Sequence, residues 1–193
     1  NSARHLCRYL DLPVQHSHPE ILRAMNRDKA VAVTEGLAER LRRAVPGVVL
    51  RTTCLVGFPG ESDAHFDHLM DYVAESKFDH LGVFAFSPEE GTPAFAMDGA
   101  PDEEVTADRC ERLMELQRKI VDEKARGLAG QTDEALLLCP GAGGDWTARL
   151  PRQAPDVDGE TVVSGAPAGA RKGNFIKVEI TGGKRYDLTA IAV

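Results

Sequence analysis

The sequence predicts an α/β unit followed by a small all-β barrel. Three apolar strands, at about residues 8–15, 48–56 and 80–86, alternate with segments that have the apolar spacing of helices. This order of strand and helix is typical of parallel βαβ units with right-handed crossovers. After residue 130 the pattern changes to short apolar runs separated by glycine, proline and aspartate, which is typical of a small barrel with an OB-like fold.

Local signals predict the helices that follow the first strand. In the segment SHPE, Ser17 is suited to cap a helix that begins at residue 18, and Glu20 is suited to complete a capping box. The segment 30–44 places its apolar residues on one helical face. A proline and a glycine directly after it end this second helix.

Two further helices complete the α/β unit. The second strand is followed by Ser62, a suitable cap for a helix over 63–76. The third strand precedes a long helix over 101–127, whose first turn accommodates a proline. Because a stable α/β sheet generally has more than three strands, we expect the missing strands to lie upstream of Asn1.

The β-rich tail contains five predicted strands, in the segments EALLLC, WTARL, TVVSG, NFIKVEI and YDLTAIAV. Trp146 and Phe175 belong to two of these strands, where they either pack in the barrel core or stack on a nucleic-acid base. We favour the core, where the aromatic residues of small barrels are more often found. The chain is therefore divided into a first domain, residues 1–127, and a second domain, residues 128–193.

The overall composition excludes several classes of protein. A net charge of −7 argues against a protein that binds nucleic acid over its whole surface. No apolar run reaches the roughly 18 residues that cross a bilayer. We therefore expect a cytoplasmic protein that makes no membrane contact, and we expect it to be a monomer.

The spacing of cysteines and histidines predicts no metal site. The four cysteines fit no zinc, redox or iron–sulfur pattern, so we expect them to be free thiols. We also find no metal-ligand grouping in the sequence among the histidines His5, His18, His65, His68 and His80.

The segment RTTCLVGFPGE, residues 51–61, begins as an apolar strand and ends in a glycine-rich turn. Gly57 and Gly60 have no Cβ and adopt positive φ readily, so the backbone there can approach a ligand closely. A tight turn between a strand and a helix explains the same two glycines. Both interpretations stay open at this point.

Three segments together resemble the radical S-adenosylmethionine methylthiotransferase family. They are YLDLPVQH at 9–16, RTTCLVGFPGE at 51–61 and GVFAFSPEEGTPA at 82–94, and the β-rich tail resembles the TRAM domain of that family. The resemblance implies that the α/β unit is the C-terminal half of a radical S-adenosylmethionine (βα) partial barrel. It covers essentially the whole chain.

Four residues within these segments distinguish two branches of the family. His16 after the glutamine, Thr53, and the pair Glu89 and Glu90 are similar to the RimO-type branch. That branch methylthiolates the β-carbon of an aspartate in ribosomal protein uS12. The alternative is the MiaB-type branch, which modifies an adenosine of transfer RNA.

The resemblance implies S-adenosylmethionine and two 4Fe-4S clusters as cofactors. One cluster cleaves S-adenosylmethionine reductively to give a radical that abstracts hydrogen, and the second delivers sulfur. The first cluster requires a CxxxCxxC motif, because three thiolates leave one iron free for the cofactor. This sequence contains neither that motif nor the ligands of the second cluster. We therefore expect the chain to be inactive alone.

The resemblance also implies which residues form the site. The carboxyl ends of parallel strands meet at one edge of the sheet, where ligands bind. The residues expected to bind the cofactor are Gln15, His16, Arg51, Thr53, Gly57, Phe58, Pro59, Gly60 and Glu61. The loop expected to face the substrate contains Ser87, Glu89, Glu90 and Thr92.

Each polar candidate has an alternative explanation. Gln15 and His16 hydrogen-bond a ligand or only end a strand. Arg51 binds the cofactor carboxylate or an ordinary acidic partner. Glu61 contacts a ribose hydroxyl or only stabilises the start of the next helix through its dipole. Glu89 and its neighbour are solvated carboxylates or an acidic rim that suits a basic ribosomal protein.

The charge of the tail bears on its partner. Residues 128–193 contain eight carboxylates and seven cations, so the tail lacks the net basic charge of an RNA-binding domain. This favours ribosomal protein uS12 or the small ribosomal subunit as the partner. Four cations leave room for a local RNA contact through the TRAM domain: Arg171, Lys172, Lys184 and Arg185. A non-catalytic module that binds RNA or ribosome is the remaining alternative.

Overall fold

The structure, a computed structural model, describes residues 6–193. The chain forms two compact units. One consists of Leu10–Ile120, and the other consists of Val121–Val193 together with the described residues before Leu10. One unit is a parallel sheet with helices and the other is a closed β-barrel, which confirms the predicted fold class. The domain boundary after residue 127 stays a prediction.

The α/β unit is built on three strands, β1 (Tyr9–Asp11), β2 (Val49–Val56) and β3 (His80–Ala85), in the order β1-β2-β3. The register of β2 and β3 is parallel along the whole of β3. β1 ends at Asp11, earlier than predicted. At Leu12 O and Val14 N, the Thr52 hydroxyl replaces backbone hydrogen bonds between the two strands. This hydroxyl accepts from Val14 N at 3.2 Å and donates to Leu12 O at 2.8 Å. The chain then rejoins the sheet at Gln15, which bridges to β2.

Four helices lie between these strands: α1 (Pro19–Ala24), α2 (Asp28–Thr34), α3 (Leu37–Ala44) and α4 (Asp63–Ser76). The single helix predicted over 30–44 is wrong, because the chain breaks between α2 and α3. Gly36 adopts φ 62° at the break, a left-handed conformation that no helix interior contains. The apolar periodicity continues across the break and therefore concealed it.

The caps of two helices test the sequence prediction directly. Ser62 caps α4 as predicted, with its Oγ accepting from His65 N and the His65 side chain accepting from Ser62 N. Ser17 does not cap α1, contrary to the prediction. The N-cap is His18, whose Nδ1 accepts from Glu20 N at 3.3 Å, while Ser17 Oγ is hydrogen-bonded to His68 Nδ1 at 2.8 Å.

The core of the α/β unit lies on one face of its sheet. Leu50, Cys54 and Val56 of β2 are buried there, as their period-two spacing requires. Residues from α4 and from the first part of α5 (Glu103–Leu128) cover this face, including Phe66, Leu69, Val73, Leu113 and Ile120. On the other face of β2 and β3, Val49 and His80 are buried and the remaining residues are half-buried or exposed.

The second unit is a five-stranded closed barrel. Its strands are β4 (Thr132–Pro140), β5 (Trp146–Arg149), β6 (Thr161–Ser164), β7 (Phe175–Lys184) and β8 (Asp187–Ala192), closed in the order β4-β5-β6-β8-β7. Neighbouring strands are antiparallel except for the parallel pair β6 and β8. All five strands were predicted, because each is a short apolar run between turn residues.

The two aromatic residues of the barrel differ in their environments. Trp146 is half-buried and packs against the barrel core. Phe175 is 63% exposed, so its predicted core position is wrong. Because Val178 and Ile180 point inward on β7, the period of two turns Phe175 outward. Within residues 6–193, no helix is both long enough and apolar enough to cross a membrane.

Candidate functional site

Three segments that follow or extend the parallel strands form the candidate site. Gln15 bonds to β2 on both sides, with its N donating to Thr53 O at 2.8 Å and its O accepting from Leu55 N at 2.7 Å. Phe86 N, after β3, donates to Val56 O at 2.8 Å. The structure thus brings the ends of the three predicted motifs side by side at one edge of the sheet.

The turn after β2 contains two glycines with different surroundings. Gly57 has φ 79°, and a Cβ built on it would lie 2.5 Å from Thr106 Cγ2. Gly60 has φ 85°, and a Cβ there would meet nothing within 4 Å. Gly57 is therefore required for close packing against α5, whereas Gly60 leaves open space at the surface. The tight-turn interpretation explains Gly57, and the predicted cofactor contact of both glycines stays a prediction.

Phe58 and Pro59, between these glycines, are both buried. The ring of Phe58 packs edge to face with Phe86, with 5.1 Å between the ring centroids. This contact joins the turn after β2 to the end of β3.

Glu61 ends the turn as a buried carboxylate with two partners. Its Oε2 accepts from Gly57 N at 3.0 Å, and its Oε1 accepts from Arg109 Nη1 at 2.7 Å. Burial raises the pKa of Glu61, while the bonds from Gly57 and Arg109 oppose that rise. The carboxylate therefore supports the turn from inside, and its predicted contact with the cofactor stays a prediction.

Arg109 is a site residue that the sequence analysis missed. It is buried on α5, where its Nη1 donates to Glu61 and its Nη2 donates to Asp63 Oδ1 at 2.7 Å. A signal was present in the sequence, because Arg109 lies on the same helical stripe as Leu113 and Ile120. A charged residue in such a stripe indicates a buried ionic partner.

His16 is fully buried beside Glu61. Its Nδ1 accepts from His18 N at 2.9 Å, so the neutral ring carries its proton on Nε2. Nε2 lies 3.7 Å from Glu61 Oε2 and has no hydrogen-bond partner among the described residues. Burial, followed by the neighbouring charges of His18, His65, His68 and Arg109, lowers the pKa of His16 to about 3. The ring is therefore a neutral donor that faces a buried carboxylate.

Gln15, the residue before it, has a strained backbone. Its φ is 67°, in the left-handed region that side chains other than glycine rarely adopt. The two bonds to β2 hold this conformation in place. Strain of this kind is concentrated at functional sites, which supports the predicted role of Gln15.

The face of the sheet opposite the helices forms a mixed polar and apolar surface. Arg51 Nε lies 3.3 Å from Asp11 Oδ2, so an acidic partner for Arg51 is present within the chain. Thr53 is half-buried on the same face, and Phe84 on β3 is 57% exposed. The Phe84 ring lies close over Gly82, because a Cβ built on Gly82 would lie 3.2 Å from Phe84 Cε2.

The predicted substrate-side loop follows β3. Ser87, Glu89, Glu90 and Thr92 are all exposed. Thr92 Oγ1 donates to Glu89 O at 2.7 Å, which closes a turn within the loop. The two glutamate side chains lie at the surface, where both the solvated and the acidic-rim interpretations are possible.

The cysteines of the chain do not form a cluster site. Cys54 is buried in the core, and its burial raises its pKa to about 12. Cys7 and Cys139 are exposed, and Cys110 is half-buried. Among residues 6–193, no group of three possible metal ligands contains a cysteine.

The structure contains a histidine grouping that the sequence analysis did not find, while the predicted absence of a metal site stays a prediction. The structure brings His18 and His65 together with Glu20, with their ligand atoms within 4.8 Å of one another. The three residues come from the starts of two different helices, which the linear spacing of the sequence does not reveal. His5 lies outside the described residues.

Comparison with known proteins adds to this geometry. Residues 133–193 match the TRAM domain family. The chain is 47% identical over 181 residues to the ribosomal protein uS12 methylthiotransferase RimO of Synechococcus sp. (strain JA-2-3B'a(2-13)), which covers 93% of the chain and 38% of that protein. The chain is similar to RimO methylthiotransferases. The RimO of Synechocystis sp. is 49% identical, over 93% of the chain and 40% of that protein.

A third RimO, from Thermosynechococcus vestitus, is 47% identical over 184 residues, covering 95% of the chain and 41% of that protein. The chain therefore spans about two fifths of the length of the RimO relatives that it matches. This similarity confirms the resemblance found in the three motifs and in the tail.

Proposed function

We propose that this chain forms part of a RimO-type methylthiotransferase that modifies the β-carbon of an aspartate in ribosomal protein uS12. The observation that carries the proposal is the 47% identity over 93% of the chain to proteins of that name. The adjacent ends of the three motif strands support it, since ligands of parallel α/β folds bind at such an edge.

The residues at this edge fit S-adenosylmethionine as a ligand. Gly60 leaves open space beside the turn, and the exposed ring of Phe84 offers an apolar surface for an adenine base. Gln15 and Thr53 supply half-buried polar groups at the same sheet. When bound in such enzymes, S-adenosylmethionine supplies the radical that abstracts hydrogen from the substrate.

The chain's own residues would position this ligand and exclude water from it. Glu61 and Arg109 fix the turn from inside, and His16 lies buried behind it. Arg51 is paired with Asp11, so it orients a polar ligand group as part of that ion pair.

The two 4Fe-4S clusters do not fit this chain. Its cysteines are dispersed, and Cys54, which bridges to Gln15 across the sheet, is a buried thiol whose pKa of about 12 keeps it protonated. We therefore place the ligands of both clusters in the part of the enzyme that this chain does not cover. On the same basis, the chain alone is catalytically inactive.

The proposed partner is ribosomal protein uS12, free or within the small ribosomal subunit, and a cytoplasmic monomer is the proposed form. The exposed acidic loop with Glu89 and Glu90 suits a basic protein surface. The TRAM barrel offers a second contact, to protein or to RNA.

A chimeric enzyme tests the proposal. The segment of the Synechocystis RimO that aligns with this chain would be replaced by the chain itself, and peptides of uS12 would be examined by mass spectrometry. We expect a methylthio group on an aspartate. Methylthiolation of transfer RNA adenosine with no change in uS12 would support the MiaB-type alternative, and no reaction from a folded chimera would contradict the proposal.

A further inference from the structure

A group of imidazoles and a carboxylate lies next to the candidate site, at the starts of α1 and α4. We propose that His18, Glu20 and His65 bind a divalent first-row transition metal ion, with Zn²⁺ as the reference ion. Their ligand atoms all lie within 4.8 Å of one another. Two imidazoles and one carboxylate are a common ligand set for zinc. The proposal does not depend on the methylthiotransferase function.

The separation of two ligand atoms matches a tetrahedral ion. His65 Nε2 and Glu20 Oε2 are 3.3 Å apart. Two ligands at the usual zinc distance of about 2.0–2.1 Å in tetrahedral geometry are separated by roughly 3.3–3.4 Å. This pair therefore needs little movement to share one ion.

The backbone around the ligands is already fixed by helix capping. His18 is the N-cap of α1, and Glu20 lies in the first turn of the same helix. His65 is held at the start of α4 by the capping box with Ser62. The rings of His18 and His65 are 4.2 Å apart between centroids, and His68 lies 5.1 Å from His18.

The hydrogen bonds of the two rings determine which ring nitrogen would face the ion. In the metal-free protein His65 Nδ1 accepts from Ser62 N, so an ion at Nε2 would require the other tautomer, in which Nδ1 carries the proton and donates to Gly60 O, 3.2 Å away, in place of the capping-box bond. His18 Nδ1 already accepts from Glu20 N, so we expect the ion at its Nε2.

Three protein ligands leave a fourth position for water. The Glu20 side chain is 70% exposed, so the ion would be accessible to solvent. It would link the loop after β1 to the turn after β2, through the carbonyl of Gly60. An ion there would therefore restrain the same turn that borders the candidate site.

Zinc titration of the metal-free chain tests this site. The chain would carry Cys7→Ser and Cys139→Ser, so that its exposed thiols bind no metal, and binding would be followed by calorimetry after chelator treatment. We expect one equivalent of Zn²⁺ and a rise in melting temperature on binding. Affinity should fall as the pH drops, because protons compete for the imidazoles. Co²⁺ gives an independent spectroscopic signal of the same ligand set.

Three ligand variants preserve the caps while removing a metal ligand. His18→Asn keeps a capping acceptor, His65→Gln keeps a capping-box residue, and Glu20→Gln removes only the charge. Loss of a residue that only hydrogen-bonds to a metal ligand weakens metal binding by roughly 10–100-fold. Each of these variants loses a ligand itself, so each should weaken Zn²⁺ binding by at least as much. Glu75→Gln, an exposed change on α4, is the matched control and should bind normally.

The possible results separate clearly. Loss of binding in all three variants with retention in Glu75→Gln supports the site. An absence of Zn²⁺ binding in the parent chain overturns it, as does binding that survives His65→Gln. Binding that occurs only when Cys7 and Cys139 are present assigns the ion to the thiols and also overturns the proposal.

Discussion

At the scale of single residues, the turn after β2 uses its own amides to hold itself together. Gly57 N donates to Glu61, Gly60 N donates to Gly99 O at 2.9 Å, and Glu61 N donates to Phe58 O at 2.9 Å. These N–H groups are therefore occupied within the protein. What the turn offers a ligand is open space beside Gly60, and its geometry depends on the buried groups behind it.

The two glycines should differ sharply in their tolerance of alanine. Gly57→Ala combines positive φ with a Cβ 2.5 Å from Thr106 Cγ2, so we expect a loss of about 2–5 kcal/mol in the free energy of unfolding. Gly60→Ala meets no neighbour and should cost only about 1–2 kcal/mol of backbone strain. Urea unfolding of both variants measures the difference.

The close contact itself is tested by a second change. Thr106→Ala removes the two atoms nearest to the new Cβ, so Gly57→Ala combined with it should lose less stability than the sum of the single variants. Equal losses for Gly57→Ala and Gly60→Ala would show that packing against α5 is not what requires the glycine.

The buried pair of Glu61 and Arg109 predicts a pH-dependent defect. Arg109→Leu leaves the Glu61 carboxylate buried without its cation, and we expect a loss of about 3–5 kcal/mol near pH 7. The pKa of Glu61, already raised by burial, should rise further. In wild type and in Arg109→Leu, Glu61 becomes protonated as the pH falls through its pKa in the folded state. Because a protonated Glu61 no longer requires a cation, the stability loss in Arg109→Leu should shrink toward acid pH.

The measurement is urea unfolding of wild type and Arg109→Leu at several pH values. Arg112→Leu is the matched control, since Arg112 is half-exposed and its pairs with Asp67 and Asp108 are at the surface. It should cost no more than about 1 kcal/mol with little dependence on pH. A defect in Arg109→Leu that stays constant with pH would show that lost packing, not the carboxylate, causes it.

At the scale of elements, helical and strand periodicity predicted where most elements lie. The strands of the barrel and the extent of α4 follow directly from apolar spacing and turn residues. The break at Gly36 was missed because one glycine within a periodic segment is compatible with either a helix or its end. The cap of α1 was missed because Ser17 Oγ is hydrogen-bonded to His68 instead, and this contact joins distant parts of the chain.

The capping box of α4 gives a prediction at this scale. Ser62→Ala removes the acceptor for His65 N, and we expect a loss of about 1 kcal/mol in stability. His65→Gln should be nearly neutral in metal-free protein, because glutamine at this position also bonds back to the N-cap. Thermal unfolding after chelator treatment measures both. A large loss in His65→Gln alone would show that the imidazole has a further structural contact.

At the scale of the whole molecule, the topology of the parallel sheet made the candidate site predictable. Gln15, Gly57 and Phe86 are far apart in sequence, yet parallel strands bring them to one edge. The histidine cluster was not predictable in this way. Its ligands belong to the starts of two helices, and their meeting depends on side-chain directions that spacing does not encode.

The distribution of charge over the molecule predicts how it chooses a partner. The chain carries a net charge of −7, and its residues 128–193 contain one more carboxylate than cation. RNA binding through phosphates would require a net basic surface and would weaken steeply with salt. We therefore expect the chain to bind uS12 more tightly than transfer RNA at physiological salt. Binding of both partners would be compared across a salt series.

The barrel also exposes an aromatic residue, Phe175, that we expect a protein partner to contact. Phe175 is 63% exposed, and Val162, elsewhere on the barrel, is 44% exposed. We expect Phe175→Ala to weaken uS12 binding by about tenfold or more, as loss of an aromatic anchor does. Val162→Ala serves as the matched control. Because neither side chain lies in the barrel core, both variants should fold normally. Tight transfer RNA binding that strengthens as salt falls, with no detectable uS12 binding, would contradict the expected partner and favour the RNA-modifying branch of the family.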